Sequence, residues 1–203
     1  MEKIDLKKEL RHLFNPSKDE VQIVDVPGFN FLMIDGTGDP NTSKEFQTDV
    51  ELLYGISYTI KFDMKKTGKD YIVMPLEGLW WADDLNSFAE GKKENWKWTV
   101  MIMQPSFIGK EEINSGIEKF ALKKKIDISR VRIEKYTEGL SVQLMHMGTY
   151  ANEGPSIRKL HNYMEEHGYA FNGKHHEIYL SDPKKTKPDK MKTILRQGVA
   201  AKV

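Results

Sequence analysis

The chain has 203 residues, enough for one domain or two small ones and for a real hydrophobic core. Its 31 Lys and Arg almost cancel its 30 Asp and Glu, for a formal net charge of +1, and so even a balance argues against a dedicated nucleic-acid or acidic-membrane binder. The absence of cysteine excludes a disulfide framework, a thiol nucleophile and Cys-based metal sites.

Met1 to Asn15 carries charges throughout, so no signal peptide is expected. No apolar run approaches the length of a membrane span, and the expected compartment is the cytoplasm. Leu6, Leu10 and Leu13 recur at helical spacing, and Pro16 closes that segment. Val21 to Val26 alternates like a strand and stops at Pro27-Gly28. Phe29 to Ile34 is a second strand-like run, ending in Gly36-Thr37-Gly38. That glycine pattern lacks the spacing of a phosphate cradle and suits a turn.

Thr42 to Glu45 fits a capping box for a helix whose buried face is marked by Phe46, Val50, Leu53 and Ile60. Tyr71 to Met74 reads as a strand running into Pro75-Leu76-Glu77-Gly78-Leu79-Trp80-Trp81. After a polar loop, Trp96 to Met103 reads as another. Lys110 to Lys125 is expected to be a linking helix. Val131 to Tyr136 and Ser141 to Met147 resemble a hairpin turning at Glu138-Gly139. Pro155 suits the first turn of a helix striped by Ile157, Leu160 and Met164, and Gly168 suits the position just past its end. His175 to Leu180 and Lys192 to Val199 are the last strands, joined by a basic loop.

The order strand, helix, strand, strand thus occurs twice, over about 29–103 and about 141–199, with the helix 110–125 between the copies. Residues 1–28 form an N-terminal helix and strand extension, and 29–203 form the domain. The expected fold class is α+β: one antiparallel sheet, helices on one face, and a ligand cleft at the pseudo-twofold axis on the opposite face.

Strand parity groups His175, Glu177 and Tyr179 on one face and His176, Ile178 and Leu180 on the other. With Ile178 and Leu180 assigned to the core, Glu177 and Tyr179 face away from it, toward the cleft. Glu177 is then either a solvated glutamate or a carboxylate that meets a ligand or takes a proton from water. Glu77 follows the helix of the first copy as Glu177 follows that of the second. His175 and His176 point to opposite faces and cannot easily share one ion, so no metal and no cofactor is expected. The aromatic set Tyr71, Trp80, Trp81, Trp96, Trp98, Phe107, Tyr136, Tyr150, Phe171 and Tyr179 includes core members. Four tryptophans between Trp80 and Trp98 also suit walls for a flat ring system.

On His146-Met147-Gly148-Thr149-Tyr150, and above all on Glu177-Ile178-Tyr179-Leu180-Ser181-Asp182-Pro183, the chain resembles the GyrI-like family of small-molecule-binding proteins from about Phe29 onward. The resemblance implies the duplicated architecture and a pocket glutamate at Glu177. Only about 28 residues precede the matching region, so no DNA-binding helix-turn-helix is expected, and neither a nucleic-acid nor a membrane partner. Tyr71 to Trp81 resembles a stand-alone subfamily that includes cyclopropanoid cyclopropyl hydrolases. These open the strained ring of DNA-alkylating natural products of the yatakemycin and duocarmycin kind. That likeness implies aromatic walls (Tyr71, Trp80, Trp98, Tyr136, Tyr179, with Phe171 also lining), Glu177 or else Glu77 as base, and Tyr150 or His146 as a donor to the product oxygen. A non-catalytic binder using Glu177 as counter-charge to cationic aromatic ligands fits the same residues.

Overall fold

A computed structural model of the chain describes residues 3–83 and 93–202. Much of the polar loop expected after Trp81 lies outside the described residues. In chain order the elements are α1 (Leu6–Glu9), α2 (Arg11–Phe14), β1 (Gln22–Val26), β2 (Phe29–Thr37), α3 (Lys44–Lys66), β3 (Leu76–Trp81) and β4 (Lys97–Gln104). They continue with α4 (Lys110–Lys124), β5 (Arg132–Tyr136), β6 (Gly139–Met147), α5 (Gly154–Glu166), β7 (Tyr169–Tyr179) and β8 (Lys192–Ala201). No described helix is long and apolar enough to cross a membrane.

Contacts divide the chain into two compact units. The first comprises Met1–Glu9, Phe29–Leu76 and Trp81–Tyr136; the second comprises Leu10–Gly28, Glu77–Trp80 and Thr137–Val203. Both are α+β with antiparallel strands, and the duplicated order holds as β2-α3-β3-β4 and β6-α5-β7-β8. β2 pairs with β4, and β6 pairs with β8, both antiparallel.

In the first unit β2 lies between β4 and β5. The register Leu32↔Ile102, Ile34↔Val100, Gly36↔Trp98 sets one face, because directly opposed residues of an antiparallel pair project to the same side. α3 covers that face. Its Phe46 meets Trp98 edge-on at 5.1 Å, and its Ser57 accepts from Gln104 at 3.3 Å. Residue 36 must be glycine here, since a Cβ would stand 2.0 Å from Cη2 of Trp98. The cap of α3 is Ser43, whose Oγ accepts from the Phe46 N–H at 3.1 Å, not the expected Thr42. Asp39 closes a turn through the amides of Asn41 and Thr42, and this holds Thr42 one residue short of the helix. The buried stripe runs through Asp49, Leu52, Leu53, Ile56, Ile60 and Met64. Phe46 and Val50 are only half-buried.

Tyr71 to Met74 is not a strand: Tyr71 makes one isolated bridge to Ile4, and pairing starts after Pro75, which has no N–H to give. The expected β5–β6 hairpin is absent too. β5 pairs with β2, and β6 pairs with β1 and β8. The strand that leads each copy is thus paired with β2 or β6 of the other copy.

In the second unit the strand order is β1-β6-β8-β7, with the β3 segment beside β7. α5 starts with Pro155 in its first turn and is followed by Gly168 at φ +69°, as the sequence indicates. Its Leu160 and Met164 pack on Val142, Leu144 and Val199. The registers Leu144↔Leu195, His146↔Thr193, Glu177↔Leu195 and Tyr179↔Thr193 place Glu177 and Tyr179 on that same helix-covered face. This corrects the expectation that they face away from the helix side. Ile178 is indeed fully buried, but on the other face, together with His176, Arg196 and Gln143. There the Arg196 guanidinium and the Gln143 amide donate to the carbonyls of Leu13 and His12 in α2.

Candidate functional site

β7 projects His175, Glu177 and Tyr179 beside the start of α5. The Glu177 side chain keeps 14% exposure, and its Oε1 lies 3.5 Å from His175 Nε2. The Tyr179 hydroxyl is engaged on both sides. It accepts from Trp80 Nε1 at 3.0 Å and is hydrogen-bonded to Glu177. Direction follows from chemistry: an indole N–H only donates, an ionised carboxylate only accepts, and the phenol has one proton. The chain therefore runs from Trp80 to Tyr179 to Glu177.

Burial first, and then the negative charge of Glu177, push the Tyr179 phenol well above its usual range. It stays protonated at neutral pH and serves Glu177 as a fixed donor. Gly78 makes the arrangement possible. A Cβ there would stand 2.7 Å from Trp80 Nε1 and 3.0 Å from the Tyr179 oxygen.

The short 3-10 turn Tyr150–Asn152 precedes α5. It sets the Tyr150 ring edge-on to Tyr179, with centroids 5.4 Å apart, and leaves Tyr150 40% exposed. Glu153, buried where the turn enters α5, adds a second negative charge near the Tyr179 hydroxyl. Sequence reasoning missed Glu153. Its signal was modest: a carboxylate at a helix start just before Gly154-Pro155 reads as a cap.

His146 is buried with both ring nitrogens in use. Nε2 donates to the Thr149 carbonyl at 3.1 Å, and Nδ1 accepts from Ser156 Oγ at 3.0 Å. It braces the turn that carries Tyr150. Glu77 does not join Glu177. It is 2% exposed and its Oε2 accepts from His176 Nε2 at 3.0 Å, so it belongs with His176 on the opposite face.

Of the expected walls, the second unit brings Trp80 and Tyr179 together, with Tyr150, expected as a donor, against Tyr179. Trp98 is fully buried in the core of the first unit. Tyr71 is 1% exposed, packed edge-on to Phe107, and burial raises its phenol pKa. These two are shut into packing and are not open walls. Tyr136 meets Phe31 at 6.4 Å in the same unit. Phe171 is exposed against His161, beyond an irregularity in β7 between Phe171 and His175.

On the other face lies a buried ionic group. His176 Nδ1 meets Glu138 Oε2 at 2.9 Å and Nε2 meets Glu77. Arg196 Nη1 is 3.5 Å from Glu138 Oε2. Burial opposes the imidazolium, but the charges and hydrogen bonds of Glu138 and Glu77 outweigh it and raise the His176 pKa to about 9. Burial likewise opposes the Glu138 carboxylate, yet His176 and Arg196 hold it below its usual range.

The sequence matches the GyrI-like small molecule binding domain over residues 19–197. An uncharacterized conserved protein from Listeria innocua is 40% identical, with 98% of this chain and 100% of that one covered and a TM-score of 0.88. A hydrolase from Listeria innocua shows the same identity and coverage, with a TM-score of 0.83. The C-terminal domain of EcmrR, 13% identical over 90% of this chain and 98% of that one, shares the fold with a TM-score of 0.57. No curated protein matches the sequence. Family and fold agree, and the chain belongs to the GyrI-like small-molecule-binding family.

Proposed function

We propose that the chain binds flat aromatic small molecules against Trp80, Tyr150 and Tyr179 and hydrolyses cyclopropanoid DNA-alkylating compounds, with Glu177 as the base. The observation that carries this reading is the state of Glu177. Its carboxylate is close to water yet held by a neutral, buried phenol that is itself held by Trp80. A carboxylate fixed on one side and open on the other suits proton abstraction from a bound water.

In the reaction, water attacks the ring CH₂. A C–O bond forms as a cyclopropane C–C bond breaks. The released electron pair moves through the dienone to its oxygen, giving a phenolate on a newly aromatic ring. The proton lost by water passes to Glu177 and then to the phenolate. Aromatic faces near the attacked carbon favour its partial positive charge. The 40%-identical hydrolase from Listeria innocua supports a hydrolytic reading.

The test is Glu177→Gln. Formation of the water adduct of a duocarmycin-type cyclopropanoid, followed by mass spectrometry, should fall by about 100-fold or more, the usual range for a general base, while binding is largely kept. Unchanged turnover would sink the assignment.

A second reading is a non-catalytic binder of cationic aromatic ligands. Two carboxylates, Glu153 and Glu177, act on the one Tyr179 hydroxyl among three aromatic rings, and such a setting favours a cation over ring faces. Tight binding of proflavine, a planar cation, with no turnover of cyclopropanoids by the wild type would favour it.

A further inference from the structure

We propose that His176, an imidazolium bridging Glu77 and Glu138 on the hidden face of the sheet, is a positioning residue that holds β3 against β7 so that Trp80 meets Tyr179 and Tyr179 holds Glu177. The proposal rests on Glu177 being the functional carboxylate.

β3 and β7 are neighbours, and a side-chain link joins them on each face in the second unit. On one face Glu77 of β3 binds His176 of β7 at 3.0 Å. On the other, Trp80 of β3 binds Tyr179 of β7 at 3.0 Å. The first link is ionic, and both of its side chains are 2% exposed. The second ends on a hydroxyl that also serves Glu177. Strand alternation couples them: His176 directly precedes Glu177, and Glu77 directly precedes Gly78, where no Cβ can fit beneath the Trp80–Tyr179 pair. A shift of β3 along β7 would break both links at once.

The ionic group is placed to fix position rather than to do chemistry. His176 is 1% exposed and faces Glu77 from β3, Glu138 from the β5–β6 connection and Arg196 from β8. Arg196 is in turn fixed by Gln143 Oε1 at 3.0 Å and by the Leu13 carbonyl at 2.8 Å. Two carboxylates and two cations balance. Each keeps one side chain aligned, and none opens to a ligand. Buried ionic groups are poor stabilisers compared with apolar packing of the same volume, and register control is the best attested reason to keep one.

The Trp80 indole N–H resonance of the 203-residue chain, assigned with Trp80→Phe, reports the link without any ligand. In His176→Gln, with folding checked by circular dichroism, the resonance should move away from its hydrogen-bonded position. Cyclopropanoid turnover should fall about 100-fold, as expected for a small misplacement of a reacting group, and the Glu77→Gln variant should behave alike. In the wild type the same resonance should shift as pH rises through about 9, where His176 loses its proton, while the indole signals of Trp96 and Trp98 stay in place. The titration decides the matter should the variants fail to fold. A Trp80 signal unmoved by the titration, or unmoved in a folded His176→Gln, overturns the proposal. A Trp80 signal that moves in a protein without turnover upholds the positioning and instead rejects the hydrolytic reading.

Discussion

Trp80 and Tyr179 are joined by one hydrogen bond of 3.0 Å, in which the indole donates and the phenol accepts. Because that bond uses the phenol oxygen as acceptor, the phenol proton is left for Glu177. The geometry of the carboxylate therefore depends on a residue of a different strand.

Tyr179→Phe removes the middle of this chain and takes the phenol hydroxyl from both Trp80 and Glu177. The cost expected is about 1–3 kcal/mol, typical of a buried donor left unsatisfied, read from urea unfolding. Cyclopropanoid turnover should fall further than in Trp80→Phe, where Tyr179 still donates to Glu177. Equal loss in the two variants would mean that the phenol does not act through Glu177.

Gly78→Ala tests the same contact from beneath. The added Cβ meets Trp80 Nε1 and the Tyr179 oxygen at 2.7 and 3.0 Å, and the far ends of two side chains must move. Overpacking of this kind costs about 1–3 kcal/mol. The affinity for proflavine should drop while the circular dichroism spectrum stays that of the wild type. An unchanged affinity would place the ligand elsewhere.

Trp98 and Trp80 should separate sharply under mutation, although the sequence presents them alike. Trp98 is fully buried between Gly36 and Phe46. Trp98→Ala should cost about 3–5 kcal/mol, the usual range for emptying an aromatic core site, with proflavine affinity per folded molecule unchanged. A loss of affinity greater than the loss of folded protein would return Trp98 to the ligand wall.

The contrast shows which parts of the fold were legible. Period-two alternation correctly sorted β7 into a His175–Glu177–Tyr179 side and a His176–Ile178 side. Alternation does not say which side a distant helix covers. That is fixed by the register of β7 on β8 and of β8 on β6, and by Leu160 and Met164 packing on Val142, Leu144 and Val199. The apolar Ile178 suggested a helix-covered face, yet its face is filled by an ionic group. Gly139, at φ +71°, is the turn residue the sequence indicated. The chain reverses into β6 without pairing to β5, because each strand finds a partner far away in sequence. Glu138 was expected only as a turn residue beside Gly139. It is 7% exposed, bound to His176 and Arg196, and nothing local announces that.

That buried group sets the pH dependence of stability. The folded pKa of His176 is about 9, above the ordinary imidazole value of about 6.5. Its contribution is fully present below the ordinary value and is lost as pH rises through about 9. Glu138 acts in the opposite sense. Its folded pKa is lowered, so its contribution is present above the ordinary carboxylate range and is lost as pH falls through the lower folded value. Unfolding free energies from urea titrations should hold a plateau between the ordinary carboxylate range and about pH 6.5 and decline on both sides. In His176→Gln the decline between about pH 6.5 and about 9 should largely vanish, and the plateau should sit lower by about 3–5 kcal/mol, as when one partner of a buried ion pair is removed. An alkaline decline equally steep in wild type and variant would show that His176 does not carry the proton lost there.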